Sequence, residues 1–394
     1  MKITFVSNYI NHHQIPLSNR MYELLGENYR FIQTQPMEEE RIRMGWGGEL
    51  ENVPYVLEYE QAEELCQSLI LESEVVIFGG VENEDYIRER LAQKRIVLRY
   101  AERLYKEGVW KVFSPRGLIK KYKDHTQYRN DPVYLLCAGG YVSYDYSLVK
   151  AYPNKKFKFG YFPKFIEYQI EELLDQKERK RIELLWVGRF LYWKHPELAI
   201  EVTRFLKKQG YNFHMNIIGG GQGEEELLQV IEKEGLEDVI TWRGYGTPAI
   251  VREYMEEANI FLFTSDFMEG WGAVLNEAMN SGCAIVASHG IGAVPFLIKH
   301  EENGLVYKNG NKKELIRSIT RLMEDNKLCR RLGRNAYATI ADEWNEKEVA
   351  KRLVKLCENL LNCDMIWESS GPLSKVQPIK ERKMYGYLMK KRDE

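Results

Sequence analysis

The sequence predicts an α/β protein of two doubly wound, Rossmann-like domains, and three observations carry that prediction. At 394 residues the chain is long for one hydrophobic core, so two domains are expected. Short apolar runs alternate with helical patterns along most of its length, as they do where helices cover both faces of a parallel sheet. The alternation is interrupted after Pro163 by a charged, poorly periodic stretch, 171–181, of the kind that separates domains.

Residues 2–8 read as the first strand, followed by the loop 9–13 and a helix entered near Pro16. Apolar runs at 29–35, 53–58, 74–81 and 95–100 continue the series, with helical patterns at 61–72 and 83–94 between them. Runs at 133–137 and 157–162 complete the first sheet. The first domain is therefore expected over 1–165, with a linker at 166–181. A second series of strands follows at 182–187, 213–218, 239–242, 260–263 and 284–287, with helices at 196–208, 223–234, 248–257 and 271–281. Long amphipathic helices at 312–324 and 344–361 close a second domain expected over 182–362. Residues 363–394 form a basic tail, for which two readings stay open: packing back on the first domain, or contact with an anionic membrane surface.

Composition narrows the function. Lys plus Arg number 56 and Asp plus Glu 58, so nothing in the charge balance points to a nucleic-acid partner. The hydrophobic fraction is 44%, and no apolar run approaches the roughly eighteen residues a membrane helix needs. The N-terminus runs straight into a strand without the pattern of a signal peptide, so a cytoplasmic location is expected. Cys66, Cys137, Cys283, Cys329, Cys357 and Cys363 show no paired metal spacing and read as reduced thiols.

In open α/β sheets, ligands bind outside the carboxyl ends of the strands. Four loops of the second domain matter on that ground. Arg189 and Lys194 flank the loop before Pro196, where two cations can clamp a diphosphate or simply be solvated. The glycines at 219–223, Gly220 among them, allow backbone to approach a ligand or make a plain tight turn. Tyr245 and Gly246 sit in a turn that suits a flat base, or form an exposed loop. The fourth loop joins the buried run 260–263 to a helix and carries Glu269, Gly270, Trp271, Gly272 and Ala273, with Glu277 two turns into the helix. A helical rise between residues 269 and 277 separates the two glutamates by roughly 12 Å, near the reach of a nucleoside diphosphate sugar, with a helix N-terminus between them.

Val187-Gly-Arg189 with Lys194, the 219–223 turn, Trp242-Arg-Gly244 and Glu269-x7-Glu277 followed by Ala278-Met-Asn-Ser-Gly-Cys-Ala-Ile-Val resemble the retaining, nucleotide-sugar-dependent glycosyltransferases of family 4. The ordered motifs cover roughly 182–310. The resemblance implies the GT-B fold, two Rossmann-like domains facing each other across a cleft, with the donor on the second domain and the acceptor on the first. It implies that Glu277 holds the ribose hydroxyls, Glu269 the hydroxyls of the transferred sugar, and the amides of Gly270 to Ala273 the sugar and phosphates. Arg189 and Lys194 would stabilise the departing diphosphate. It further implies a nucleotide diphosphate sugar as co-substrate, no other cofactor, no metal, and a glycan or lipid-linked saccharide as acceptor. No carboxylate pair at glycosidase spacing is evident, as a hydrolase would need.

The first loop departs from the family, which often carries a glycine pair where this chain has Asn11, His12 and His13. These residues, with Glu102 and Arg103, are candidates for the acceptor or phosphate side; an ordinary polar loop and a surface ion pair are the rival readings. Two other functions remain, a GT-B nucleotide-sugar epimerase and a non-catalytic scaffold with the same fold. Joint retention of Arg189, Lys194, Glu269 and Glu277 speaks against the scaffold.

Overall fold

The computed structural model describes residues 1–39, 53–178, 181–364 and 366–390. Two units divide the chain, the first taking 1–164 and 343–381 and the second 165–342 and 382–394.

The first unit is built on seven strands: β1 (Ile3–Ser7), β2 (Tyr29–Gln33), β3 (Val56–Glu58), β4 (Val75–Gly79), β5 (Val97–Ala101), β6 (Val133–Ala138) and β7 (Lys156–Phe159). Their order is β3-β2-β1-β4-β5-β6-β7, all parallel. β4 is buried at every position, as a strand covered on both faces must be, and this is why it reads as an unbroken apolar run. Val6, Val76, Phe78, Val97 and Leu135 lie in its core. Beyond the named strands, the Lys158 amide donates to the Ser374 carbonyl at 2.9 Å and the Leu373 amide to the Lys158 carbonyl at 2.7 Å, so the chain near 373–376 covers the β7 edge. Lys375 lies over the rings of Trp367 and Phe157 at 4.3 and 4.7 Å.

The second unit has six strands: β8 (Ile182–Val187), β9 (Phe213–Ile218), β10 (Ile240–Trp242), β11 (Ile260–Phe263), β12 (Ala284–Ser288) and β13 (Leu305–Tyr307). Their order is β10-β9-β8-β11-β12-β13, again parallel. Leu184, Trp186, Met215, Leu262 and Val286 anchor its core.

The division of the chain differs from the expected one in three places. Residues 166–181 are not a free linker: Ile170–Glu178 is a helix, and residues 179–180 lie outside the described residues. The charges that suggested a linker are used in packing. Glu171 pairs with Arg330 at 2.8 Å and with Arg334. Lys177 is buried and donates to the carbonyls of Met255, Ala258 and Ser281 at 2.9, 2.7 and 2.7 Å. Second, helix Glu346–Leu361 belongs to the first unit, where it packs on helix Ile15–Leu25. Third, the tail divides: 363–381 goes with the first unit and 382–390 with the second, where Tyr385 donates to Glu314 at 2.9 Å and Met384 and Leu388 are buried. Residues 391–394, the end of the expected basic tail, lie outside the described residues. No helix among the described residues is long and apolar enough to cross a membrane.

Candidate functional site

In the second sheet the strand order reverses between β8 and β11, and the crevice outside their carboxyl ends is where doubly wound sheets take ligands. The loops that follow these two strands are tied together. The Trp186 indole donates to Thr264 Oγ1 at 2.8 Å. Thr264 Oγ1 donates to the Lys194 carbonyl at 2.6 Å, and the Asp266 amide to the Trp193 carbonyl at 2.9 Å. On this frame the Lys194 ammonium pairs with the Glu269 carboxylate, their side chains only 15% and 13% exposed. Ser265 Oγ donates to the same Glu269 oxygen at 3.1 Å. Arg189, on the Lys194 loop, is exposed.

His195 opens helix Pro196–Lys208 in the left-handed region, at φ +53°. Its Nδ1 lies 2.7 Å from Glu197 Oε1 and its Nε2 3.5 Å from Asp266 Oδ2. Hydrogen bonds to Asp266 and Glu197 push its pKa up to about 9, against the opposing effect of burial.

The helix after β11 begins at Val274, three residues later than expected, and runs to Asn280. Gly270, Trp271, Gly272 and Ala273 form the turn before it, and the buried Trp271 indole donates to Asn276 Oδ1 at 2.9 Å. Gly272 has φ +90°, and a Cβ there would meet the Phe263 ring at 2.4 Å, so this turn requires glycine. Glu277 lies within the helix, its Oε1 3.9 Å from Arg252 Nη2, while Arg252 Nη1 donates to the Glu277 carbonyl at 3.0 Å. Burial raises the Glu277 pKa, and the Arg252 charge opposes the rise.

The loops after β9 and β10 join the same edge. The Phe190 amide donates to the Gly220 carbonyl at 2.7 Å, and the Gly219 amide to the Gly244 carbonyl at 2.8 Å. The exposed Tyr245 ring stands beside Gly220, and Gly246 follows it in the turn before helix Pro248–Glu257. Arg189, Lys194, Glu269, Gly220 and Tyr245 thus belong to loops that are bonded to one another at the carboxyl edge of one sheet. Sequence reasoning missed His195, Asp266, Ser265 and Arg252. The first three lie in loops already singled out, whereas nothing in the spacing of the 248–257 helix marks Arg252.

The first unit holds a cavity of about 800 Å³ outside the carboxyl ends of β1, β4 and β5, with Asn11, Glu82, Arg99, Glu102 and Lys121 in its lining. Asn11 shapes the turn after β1: its Oδ1 accepts from the His13 amide at 3.0 Å and its carbonyl from Gln14 and Ile15 at 2.8 and 2.9 Å. The His12 and His13 rings lie 3.7 Å apart and are not part of the cavity lining. The surface ion pair between Glu102 and Arg103 does not form. Glu102 accepts from Tyr161 at 3.0 Å and pairs with Lys106. Arg103 is buried and engaged by Asp145 at 3.1 and 3.2 Å and by Glu381 at 2.7 Å, its guanidinium 4.9 Å from the Tyr141 ring centre. Arg103 also lines the cavity, where its Nη1 has no hydrogen-bond partner among the described residues.

Residues 170–339 match the family described as glycosyl transferases group 1. The amylovoran biosynthesis glycosyltransferase AmsK of Erwinia amylovora is 30% identical over 208 residues, 52% of this chain and 50% of the relative. The chain spans about half the length of the curated relatives it matches. Among solved structures, Anabaena HepE in complex with UDP has a TM-score of 0.68 at 16% identity, covering 91% of this chain and 100% of that one. A glycosyltransferase from Rickettsia africae has a TM-score of 0.62 at 14% identity, covering 91% and 98%. Both likenesses concern the fold. Residues 170–339 are thus similar to a glycosyl transferases group 1 domain, and the two parallel-sheet domains have the GT-B architecture of these solved structures.

Proposed function

We propose that this chain is a retaining glycosyltransferase that moves a sugar from a nucleotide diphosphate sugar to a hydroxyl of a glycan or lipid-linked saccharide, in the assembly of a cell-surface or capsular polysaccharide. The observation that carries the reading is the Lys194–Glu269 pair at the switch point between β8 and β11. It sets a cation beside a carboxylate where a diphosphate and a sugar hydroxyl would lie side by side. In this reading Glu269 accepts from hydroxyls of the sugar, Glu277 from the ribose, and Tyr245 with Gly220 and Gly246 borders the base. The turn from Gly270 to Ala273 faces the sugar and phosphates. As the bond from the anomeric carbon to the diphosphate breaks, Lys194 and Arg189 stabilise the developing negative charge. The acceptor oxygen bonds to the same face of the sugar, and its proton passes to the departing phosphate oxygen. The cationic side chains carry the charge compensation, so the reaction as proposed needs no metal. Asn11, Glu102 and Arg103, in the lining of the first unit's cavity, are the acceptor-side candidates.

The relative AmsK is named for amylovoran synthesis, which supports a polysaccharide product, and HepE holds UDP, which makes UDP-sugars the first donors to try. A thermal-shift screen of UDP, GDP, ADP and dTDP sugars should find one donor that stabilises the fold by mass action. Transfer from that donor to simple glycosides is then followed by NMR, with and without a chelator. Retained anomeric configuration and chelator-insensitive rates are expected. An inverted product, or a changed nucleotide sugar released without any acceptor, would overturn the reading.

A further inference from the structure

Helix Pro115–Asp124 in the first unit has no buried residue. Its apolar residues Pro115, Leu118, Ile119 and Tyr122 nevertheless follow the i, i+3, i+4, i+7 spacing of one helix face, and all four are exposed. In most surface helices that stripe is the part that packs on the core. Just before it, the turn Val109–Phe113 exposes Trp110 and Phe113 by 68% and 82%. Five large apolar side chains therefore stand in solvent within thirteen positions, 110 to 122, where isolated ones would need no explanation.

The charge around this patch has one sign. From 108 to 123 the chain carries Lys111, Arg116, Lys120, Lys121 and Lys123 and no acid. Lys111 pairs with Glu107 and Lys120 with Asp124, at the two ends of the stretch. Arg116 and Lys123, seven positions apart on one flank of the apolar stripe, make no ion pair among the described residues. An apolar stripe with aromatic residues, bordered by cations, is the pattern of a helix lying in the plane of an anionic membrane surface.

We infer that residues 109–123 dock this protein on a lipid bilayer with anionic headgroups. The apolar stripe enters the interface, the cations meet the headgroups, and the opposite side of the same helix, through Lys121 and Asp124, lines the 800 Å³ cavity. Docking in this way brings the cavity's lining helix to the lipid surface, which suits an acceptor carried on a lipid; that last consequence rests on the proposed function, the docking itself does not. The contact expected of the basic tail moves to this helix, since Met384 and Leu388 of the tail are buried.

The test is co-sedimentation of the full chain with vesicles of phosphatidylcholine alone or mixed with phosphatidylglycerol. Binding is expected to the anionic vesicles only and to weaken with salt. Phe113→Ser with Ile119→Ser should weaken it at least about tenfold, and Arg116→Glu with Lys123→Glu about fivefold for each cation removed. Hydrogen exchange should slow over 109–123 when vesicles are added. Transfer to a soluble acceptor should stay unchanged in both variants, so failure of docking and failure of the enzymatic reading are told apart. Equal binding to both vesicle types, no binding, unchanged binding in both variants, protection over 375–390 instead, or self-association abolished by the same substitutions would each overturn the inference.

Discussion

Lys194 and Glu269, 75 positions apart in the chain, meet in an ion pair that closes the gap between the loops after β8 and β11. The pair is largely shielded from water, so its mutual attraction is screened less than that of a surface pair. Ser265 donates to the same carboxylate oxygen and helps to fix it. The cation is thereby held in one place before any ligand arrives, and such preorganisation is what makes a charge effective on a developing anion.

Lys194→Ala and Glu269→Ala should each lower turnover at least about a hundredfold, the scale for removing one preorganised electrostatic group. Because the two side chains hold each other, the double variant should lose less than the product of the single losses. Steady-state kinetics at saturating donor decides this. Unchanged turnover in both single variants, with the fold intact, would remove the pair from the mechanism.

Gly219 marks how closely the loops approach. Its φ is +139°, and a Cβ there would lie 1.8 Å from the Gly188 carbonyl oxygen, which is backbone and cannot rotate away. Gly219→Ala should cost more than about 3 kcal/mol in denaturant unfolding. Gly210, at φ +77° with no atom within 4 Å of where a Cβ would stand, is the control: Gly210→Ala should cost only about 1 kcal/mol. Equal losses at the two sites would show that conformation, not contact, governs both.

Much of the second unit is legible in the sequence because doubly covered strands and proline-led helices announce themselves. β8, β9 and β11 occupy the residues expected, as do helices Pro196–Lys208 and Pro248–Glu257. The partition of the chain is less legible. Helix Glu346–Leu361 is amphipathic whichever core it faces, and only its packing on Ile15–Leu25 assigns it to the first unit. The acids of 171–178 read as solvated until Arg330 and Arg334, more than 150 positions on, are placed beside them. At the site, Lys194 and Glu269 stand out singly because they follow strands, but their contact is long-range. Asp145, which neutralises Arg103 from 42 positions away, leaves no local signal at all.

Arg103 and Asp145 are almost wholly buried, with side-chain exposures of 1% and 0%. Burial raises the Asp145 pKa and the Arg103 charge opposes that rise, so the carboxylate relies on the guanidinium to favour its ionised form. Arg103→Ala should destabilise the protein by about 3–5 kcal/mol, because it leaves a buried carboxylate unpaired. Arg103→Met combined with Asp145→Leu should recover most of the loss. Urea unfolding of the three variants measures this, and a double variant as unstable as Arg103→Ala would contradict it.

His195 provides a pH signature. Its pKa stands at about 9 in the folded state, against an ordinary 6.5, because Asp266 and Glu197 favour the imidazolium. A raised pKa means that the folded protein binds this proton more tightly than the unfolded chain. The stabilisation is therefore complete below pH 6.5 and is lost as pH rises towards 9. The stability difference between wild type and His195→Gln should be constant in mild acid and shrink across that window. Thermal unfolding at intervals from pH 6 to 9.5 checks it, and a difference that grows with pH would reverse the assignment.

Glu277 should set stability against binding. Burial raises its pKa, with Arg252 only partly compensating, so the fold disfavours the ionised form of this carboxylate. Glu277→Gln removes that penalty and should raise the unfolding temperature near pH 7. The gain should close as pH falls through the folded pKa and then the ordinary 4.5, where the wild-type group is neutral in both states. If Glu277 accepts hydrogen bonds from ribose hydroxyls, the same change loses charge-assisted bonds and should weaken donor binding about tenfold. A variant that is more stable yet binds its donor less tightly is the pattern of a group kept for function. Lower stability at pH 7 together with unchanged donor affinity, by calorimetry, would make Glu277 a structural residue instead.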